Sequence, residues 1–264
     1  MARGDLAPHP KLVHTRSELT GPDARRALEG VDVLWHLGAQ LWRSRDGRQI
    51  EVNLGGTANV VAARPAHIVL ASSAAVYGAH PSNPVPITEE WTPRPNDECP
   101  YAWHKLEAER MCAEAAPTAV MRISAVLGPH ADPRVAKASR GYRVAVPAMR
   151  GIPLAMQFID EDDAASGLLA AGLTRAAGVM NLATEDWMSA EEIATVSGGR
   201  VVHLPRSAAI AVSELGFRLR LLPFGADRSS LLGGPLALDP GRAIAELGWK
   251  PVASSVEVLR SALA

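Results

Sequence analysis

Tyr101 and Lys105 stand four residues apart in a stretch, residues 101–115, whose pattern predicts a helix. That spacing projects both side chains from one face at neighbouring heights. A phenol at its free pKa of about 10 exchanges protons poorly at neutral pH, and an ammonium beside it stabilises the phenolate and lowers that value. The pair therefore predicts a tyrosine acid–base group tuned by Lys105. Such chemistry needs a further hydroxyl to hold the reacting oxygen, and Ser73, 28 positions upstream, is expected where a strand ends. A Tyr and a Lys at helical spacing are, on their own, more often a surface pair than a site.

The elements that would carry these groups read as a parallel sheet covered by helices, because apolar runs of strand length alternate with helical patterns. Strands are expected at residues 31–37, 67–71, 119–124 and 179–182, with a weaker candidate at 11–14 and an extended run at 156–159. Helices are expected at 22–29, 53–63, 101–115 and 163–173. The run from His67 ends in Ser72 and Ser73, so its hydroxyls fall at the carboxyl edge where open parallel sheets bind ligands. The pattern loosens over residues 131–153. Beyond Thr184, Ser189 and Glu192 match a capping box, and the tail reads as a smaller cap. The expected division is a Rossmann-like domain at 1–183, with 131–157 contributing to the cap, and a small substrate-binding domain at 184–264.

Composition narrows the function classes. At 264 residues with 47% apolar and 21% charged residues, the chain can bury a sizeable core, which excludes a disordered or collagen-like protein. The 27 Lys and Arg against 28 Asp and Glu leave no electrostatic footprint for a nucleic acid. Two cysteines, Cys99 and Cys112, cannot build a disulfide framework and fit a reducing compartment. No apolar run is long enough for a membrane span or a secretory leader, so a cytoplasmic protein without a membrane partner is expected. Asp160 to Asp163 lack the Gly turns and spaced histidines of a metal site and read as an acidic helix N-terminus, so no metal is assigned.

Further motifs occur in order around the pair: Val33-Leu34-Trp35-His36-Leu37-Gly38-Ala39, Asn53-Leu54-Gly55-Gly56-Thr57, Ser72-Ser73-Ala74-Ala75-Val76-Tyr77-Gly78, Arg122-Ile123-Ser124-Ala125-Val126-Leu127-Gly128-Pro129, and Leu247-Gly248-Trp249-Lys250-Pro251. With these the chain resembles the extended short-chain dehydrogenase/reductases, the NAD-dependent epimerase/dehydratase family, over nearly its whole length. The resemblance implies a doubly wound α/β fold, NAD or NADP as cofactor, a homodimer and a small-molecule substrate such as a sugar nucleotide. It makes Tyr101 the catalytic base, Lys105 the residue that holds the nicotinamide ribose and tunes Tyr101, and Ser73 the partner of the reacting oxygen. It places Leu37, Gly38, Ala39, Ala71, Ser72, Ile123 and Val126 at the cofactor, and Ser73, Ala74, Ala75 and Val126 at the substrate. Ala74 and Ala75 stand where related dehydratases carry an acidic pair, which disfavours water elimination and favours epimerase or oxidoreductase chemistry. An arginine among Arg218, Arg220 and Arg228 would meet a diphosphate, although solvated surface cations are the favoured reading. His130 and Asp132 lie near the expected site and read equally well as solvated residues, while His104, a helical surface histidine, reads as solvated rather than catalytic.

The front of the chain departs from the pattern. None of the 22 glycines falls in the spacing of a phosphate-binding turn. Roughly 30 to 45 residues, about one βαβ unit, are expected to be lacking beside the strand that holds Val33. A start set inside a longer frame, residues left out, or repair by another chain would each account for it. The same departure motivates a different reading, a cofactor-free binding or scaffolding protein.

Overall fold

The computed structural model describes residues 11, 13–43, 46–222 and 224–264. Pro22, fixed at the φ of a first helical turn, starts α1 (Pro22–Leu28), and Gly30 with φ 75° turns the chain into β1 (Val33–His36). A continuous helical passage follows, made of α2 (Arg48–Ile50), a π-helical segment (Glu51–Gly55) and α3 (Gly56–Ala62). The chain returns through β2 (His67–Ser73), a 3-10 turn (Ala74–Tyr77) and a long loop into α4 (Pro100–Ala115). Next come β3 (Thr118–Ile123), β4 (Ala125–Leu127), α5 (Pro133–Arg140), β5 (Ala145–Met149), β6 (Phe158–Asp160), α6 (Glu161–Thr174) and β7 (Gly178–Leu182). The tail holds α7 (Ala190–Ser197), β8 (Arg200–Leu204), α8 (Arg206–Arg218), α9 (Ala226–Ser229), α10 (Gly241–Leu247) and α11 (Ser255–Leu263).

Four strands form one parallel sheet in the order β1-β2-β3-β7, with Leu34 opposite Ile68, Val69 opposite Ala119 and Met121 opposite Met180. Helices cover both faces, which is why β3 is buried at every position and reads as an unbroken run rather than an alternation. One face packs Val69, Met121, Ile159, Met180 and Leu182 against α6, and the tail returns Leu247 and Trp249 to the same cluster. The other packs Leu34, Ile68 and Leu70 against Val60 of α3 and Ala108 and Cys112 of α4. Two small parallel pairs, β4 with β6 and β5 with β8, lie beyond, over a core of Leu127, Phe158, Met188, Ile193 and Leu259.

The α/β class and the four main strands match the expectation, with the first shortened to Val33–His36. The helix expected at 53–63 begins earlier, at Arg48. The candidate strand at 11–14 is not a strand in its described residues, and Leu12 lies outside them. The stretch 131–153 holds α5 and β5, both too short for their periodicity to register. Ser189 and Glu192 form the reciprocal capping box. Asp160 caps α6 by accepting the Asp162 N–H, with Glu161, Asp162 and Asp163 in the first turn, where a helix favours negative charge. Among the described residues no helix is long and apolar enough to cross a membrane.

Candidate active site

Ser73 is the last residue of β2, at the carboxyl rim of the sheet, and its Oγ accepts the Ala75 N–H at 3.2 Å to cap the 3-10 turn. Pro100 opens α4 and places Tyr101 in the first turn, close enough to Ser73 that the serine hydroxyl pulls on the phenol's proton affinity. One helical turn further on, buried Lys105 donates from Nζ to the Ala71 carbonyl at 2.6 Å and lies 5.9 Å from the centre of the Tyr101 ring. The structure therefore brings Ser73, Tyr101 and Lys105 together around the last turn of one strand.

The electrostatics differ from the expected tuning. Burial pushes the Tyr101 phenol up to about 12, against the opposing pull of Arg228 and of the Ser73 hydrogen bond. Lys105 does not supply the lowering cation, because its amine is turned to the Ala71 carbonyl. Burial also lowers Lys105 itself to about 8, with Cys112 and Glu109 opposing. At neutral pH this site holds a protonated phenol, which is a hydrogen-bond donor rather than a base.

Arg228, one of the arginines the sequence offered for a diphosphate but favoured as a solvated surface cation, is largely buried beside Tyr101. Its guanidinium carbon lies 5.2 Å from the Tyr101 ring centre and 5.1 Å from that of Trp42, and it donates to the Leu41 carbonyl. Trp42 is buried, takes Arg134 at 5.2 Å from its ring centre, and donates its indole N–H to Asp132 at 2.8 Å. Asp132 also caps α5 and so belongs to this clasp. No periodic signal joins positions 42, 132 and 228; only folding brings them together.

Behind Lys105, His36 is buried and pairs its Nε2 with the Thr57 hydroxyl at 2.9 Å, while Thr57 donates to the Asn53 carbonyl at 2.6 Å. Asn53 clamps the loop after β1 by accepting the Gln40 N–H at 2.6 Å and donating to the Gln40 carbonyl at 3.2 Å. His104, half-buried, reaches the Asn53 amide at 3.4 Å. Burial first, then the Lys105 ammonium, lowers the His36 pKa to about 4. Between about pH 6.5 and 4 the unfolded chain binds a proton at this residue that the folded chain refuses, so stability falls as pH falls through that window. The expected contribution is about 3 kcal/mol. Denaturant titrations at pH 7 and pH 4.5 should give a smaller loss for His36→Gln than for the parent; equal losses would refute the assignment.

The other expected site residues divide. Leu37 and Ala39 are exposed and Gly38 is half-buried, all just past the end of β1 at the rim. Ser72, one residue before Ser73 and on the opposite face, donates its hydroxyl to Glu109, so only its backbone is left for a cofactor. Ile123 ends β3 as a buried core residue, and Val126 packs half-buried on the same core. Ala74 and Ala75 are buried in the 3-10 turn and bring no carboxylate to the site. His130 is exposed and bonds Glu161 at 2.7 Å. Cys99 and Cys112 are buried, and burial raises both thiols, so neither is an activated nucleophile.

A parallel α/β sheet with a Ser, Tyr and Lys set at its carboxyl rim defines a class of nucleotide-dependent enzymes in which ligands sit outside the strand ends. The family model described as NAD dependent epimerase/dehydratase matches residues 6–183, and the chain belongs to that family. It is 29% identical over 273 residues to the uncharacterized protein y4nG of Sinorhizobium fredii, a match that spans 95% of this chain and 67% of y4nG. Among solved structures it is similar to RMD of Pseudomonas aeruginosa complexed with NADPH, with TM-score 0.69, 23% identity, and coverage of 98% of this chain and 88% of that one. It is also similar to UDP-glucose 4-epimerase of Thermus thermophilus complexed with NAD, with TM-score 0.68, 22% identity, and coverage of 94% and 82%.

Proposed function

We propose that this chain is an NAD(P)-dependent epimerase or oxidoreductase acting at a hydroxyl or carbonyl carbon of a sugar nucleotide or similar small molecule. The convergence of Ser73 at the end of β2, Tyr101 in the first turn of α4 and buried Lys105 one helical turn on, 5.9 Å from the Tyr101 ring centre, carries the reading. The nicotinamide end of such a cofactor fits the residues present. Lys105 uses one N–H on Ala71 and keeps two for a ribose hydroxyl, and the Gly38 backbone allows close approach from the neighbouring strand. When bound, the cofactor supplies a hydride acceptor or donor. Ser73 then seats the substrate oxygen and Tyr101 gives or takes its proton.

Arg228 supports the sugar-nucleotide class. Its Nε is buried without a hydrogen-bond partner among the described residues, with the Asp227 carboxylate 3.8 Å away as an ion pair, and a diphosphate oxygen would supply the hydrogen bond that Asp227 is too far to make. The names of the Thermus enzyme and of a neighbour in complex with UDP-glucuronic acid and NAD agree with that class. The lack of carboxylates at Ala74 and Ala75 favours epimerisation or carbonyl reduction over dehydration. The reading includes a cytoplasmic homodimer paired through α4, whose Trp103 is exposed, and light scattering measures that state.

Calorimetry with UDP-glucose, UDP-galactose and UDP-glucuronic acid tests the substrate class. At least one should bind, and Arg228→Ala should weaken it by at least about 10-fold, the loss of a charge-assisted phosphate contact. Failure of every sugar nucleotide to bind overturns the class.

A further inference from the structure

A surface helix ordinarily buries its apolar stripe and shows its polar one to water. Helix α8 does the reverse. Its buried positions are Ser213, bonded at 2.7 Å to the Ser229 hydroxyl, and Gly216. Its outward stripe is Val212, Leu215 and Leu219, spaced by three and four residues, and Leu221 follows just past the helix end; the four are 58% to 76% exposed. The helix closes in a Schellman turn, the Leu221 N–H donating to the Gly216 carbonyl at 2.8 Å and the Arg220 N–H to the Phe217 carbonyl at 3.1 Å. Such a turn usually sets glycine at its left-handed position and packs the next residue back on the last helical turn. Here Arg220 takes the left-handed position, with φ 62°, and Gly216 offers no side chain for Leu221 to meet. A cation therefore stands where glycine would be unstrained, and a leucine stays in water.

The charge beside the stripe identifies what covers it. Glu214 is the only carboxylate between residues 193 and 226, and Arg43 at 2.9 Å and Arg218 at 3.1 Å share it. Arg220 has no side-chain partner among the described residues. The stripe therefore ends in excess positive charge. Exposed apolar area of this kind marks a contact surface, and leucines interleaved with arginines match the layers of a bilayer interface. There the leucines enter the acyl boundary while the arginine stems reach back to anionic headgroups. We infer that α8 and the turn that ends it dock this protein on an anionic lipid surface. A second copy fits less well, because a two-fold axis would gather Arg218 and Arg220 of both chains in one interface whose carboxylates are already paired. The helix lies on the membrane and does not cross it, in keeping with the absence of a spanning helix among the described residues.

Flotation of the whole chain with phosphatidylcholine vesicles, with and without phosphatidylserine, tests this. Binding to the anionic vesicles should be at least ~10-fold stronger than to the zwitterionic ones, and high salt should remove the difference. Leu219→Ser with Leu221→Ser should cut binding by at least ~10-fold, the loss of two inserted apolar side chains, and both positions are exposed, so Tm should hold. Arg220→Gly should cut it about 5-fold, the worth of one cation near an anionic bilayer, with Tm equal or higher because glycine takes the left-handed turn without strain. No binding to anionic vesicles, or equal binding with and without phosphatidylserine, overturns the inference. So does a dimer, seen by light scattering, that the double leucine variant splits, because the occupant is then a second copy. Binding to soluble polyglutamate as strong as to anionic vesicles, and unchanged in the double leucine variant, also overturns it, since the face then serves an acidic protein.

Discussion

Tyr101→Phe, assayed with NAD or NADP and the sugar nucleotide that the protein converts, should lose between about 10² and 10⁴ in turnover, the usual worth of a positioned proton donor. The substitution deletes one oxygen from a ring that is 8% exposed, so packing against Ala75 and Ala102 is kept. It leaves the Arg228 guanidinium on an aromatic face, so affinity for the sugar nucleotide should change less than about 3-fold, within the range of a lost weak contact. Ser73→Ala should lower turnover less, because the phenol then keeps its proton but loses the hydroxyl that aims it. A Tyr101→Phe enzyme that turns over at the parent rate sinks the assignment of Tyr101. Intact turnover but weakened binding would make Tyr101 a wall of the pocket.

What the sequence made legible follows from which interactions are local. The four main strands could be read because each is an unbroken apolar run between breakers, and burial on both faces requires that pattern. The proximity of the candidate trio could be read because Tyr101 and Lys105 share a helix face and Ser73 ends a strand. The electrostatics of the trio could not, since they depend first on the burial of Tyr101 and Lys105 and then on Arg228, which meets the Tyr101 ring only after the tail folds back over the rim. Trp42 illustrates the same limit, with its indole N–H on Asp132, 90 positions away. Strands β5 and β8 pair across residues 145 and 200, and neither carries enough apolar length to announce itself. Among the described residues β1 is an edge strand, paired on one side with β2.

Glu109→Ala should be the most destabilising single change in the sheet's polar interior. Glu109 and Arg122 pair at 2.7 and 3.1 Å with side chains only 8% and 5% exposed, and the Ser72 hydroxyl also donates to Glu109. The Arg122 guanidinium then lies 4.7 Å from the Tyr77 ring centre, and Tyr77 donates to Asn181 Oδ1 at 3.0 Å. Asn181 in turn donates to the Ile87 carbonyl and to Glu89, so one polar chain links β2, β3, α4, the 3-10 turn and the guarded edge of β7. Removing the carboxylate leaves a buried guanidinium without its charge partner, a loss of about 3–5 kcal/mol. For a chain of this size that corresponds to a fall in Tm of roughly 10 °C. Both charges came out of water at a cost that their attraction only partly offsets, so Glu109→Leu with Arg122→Met should recover most of the loss. Thermal denaturation of the two singles and the double gives the coupling directly. Additive losses would mean that Glu109 and Arg122 act separately, and a near-normal Tm for Glu109→Ala would remove the polar chain from the account of the fold's stability.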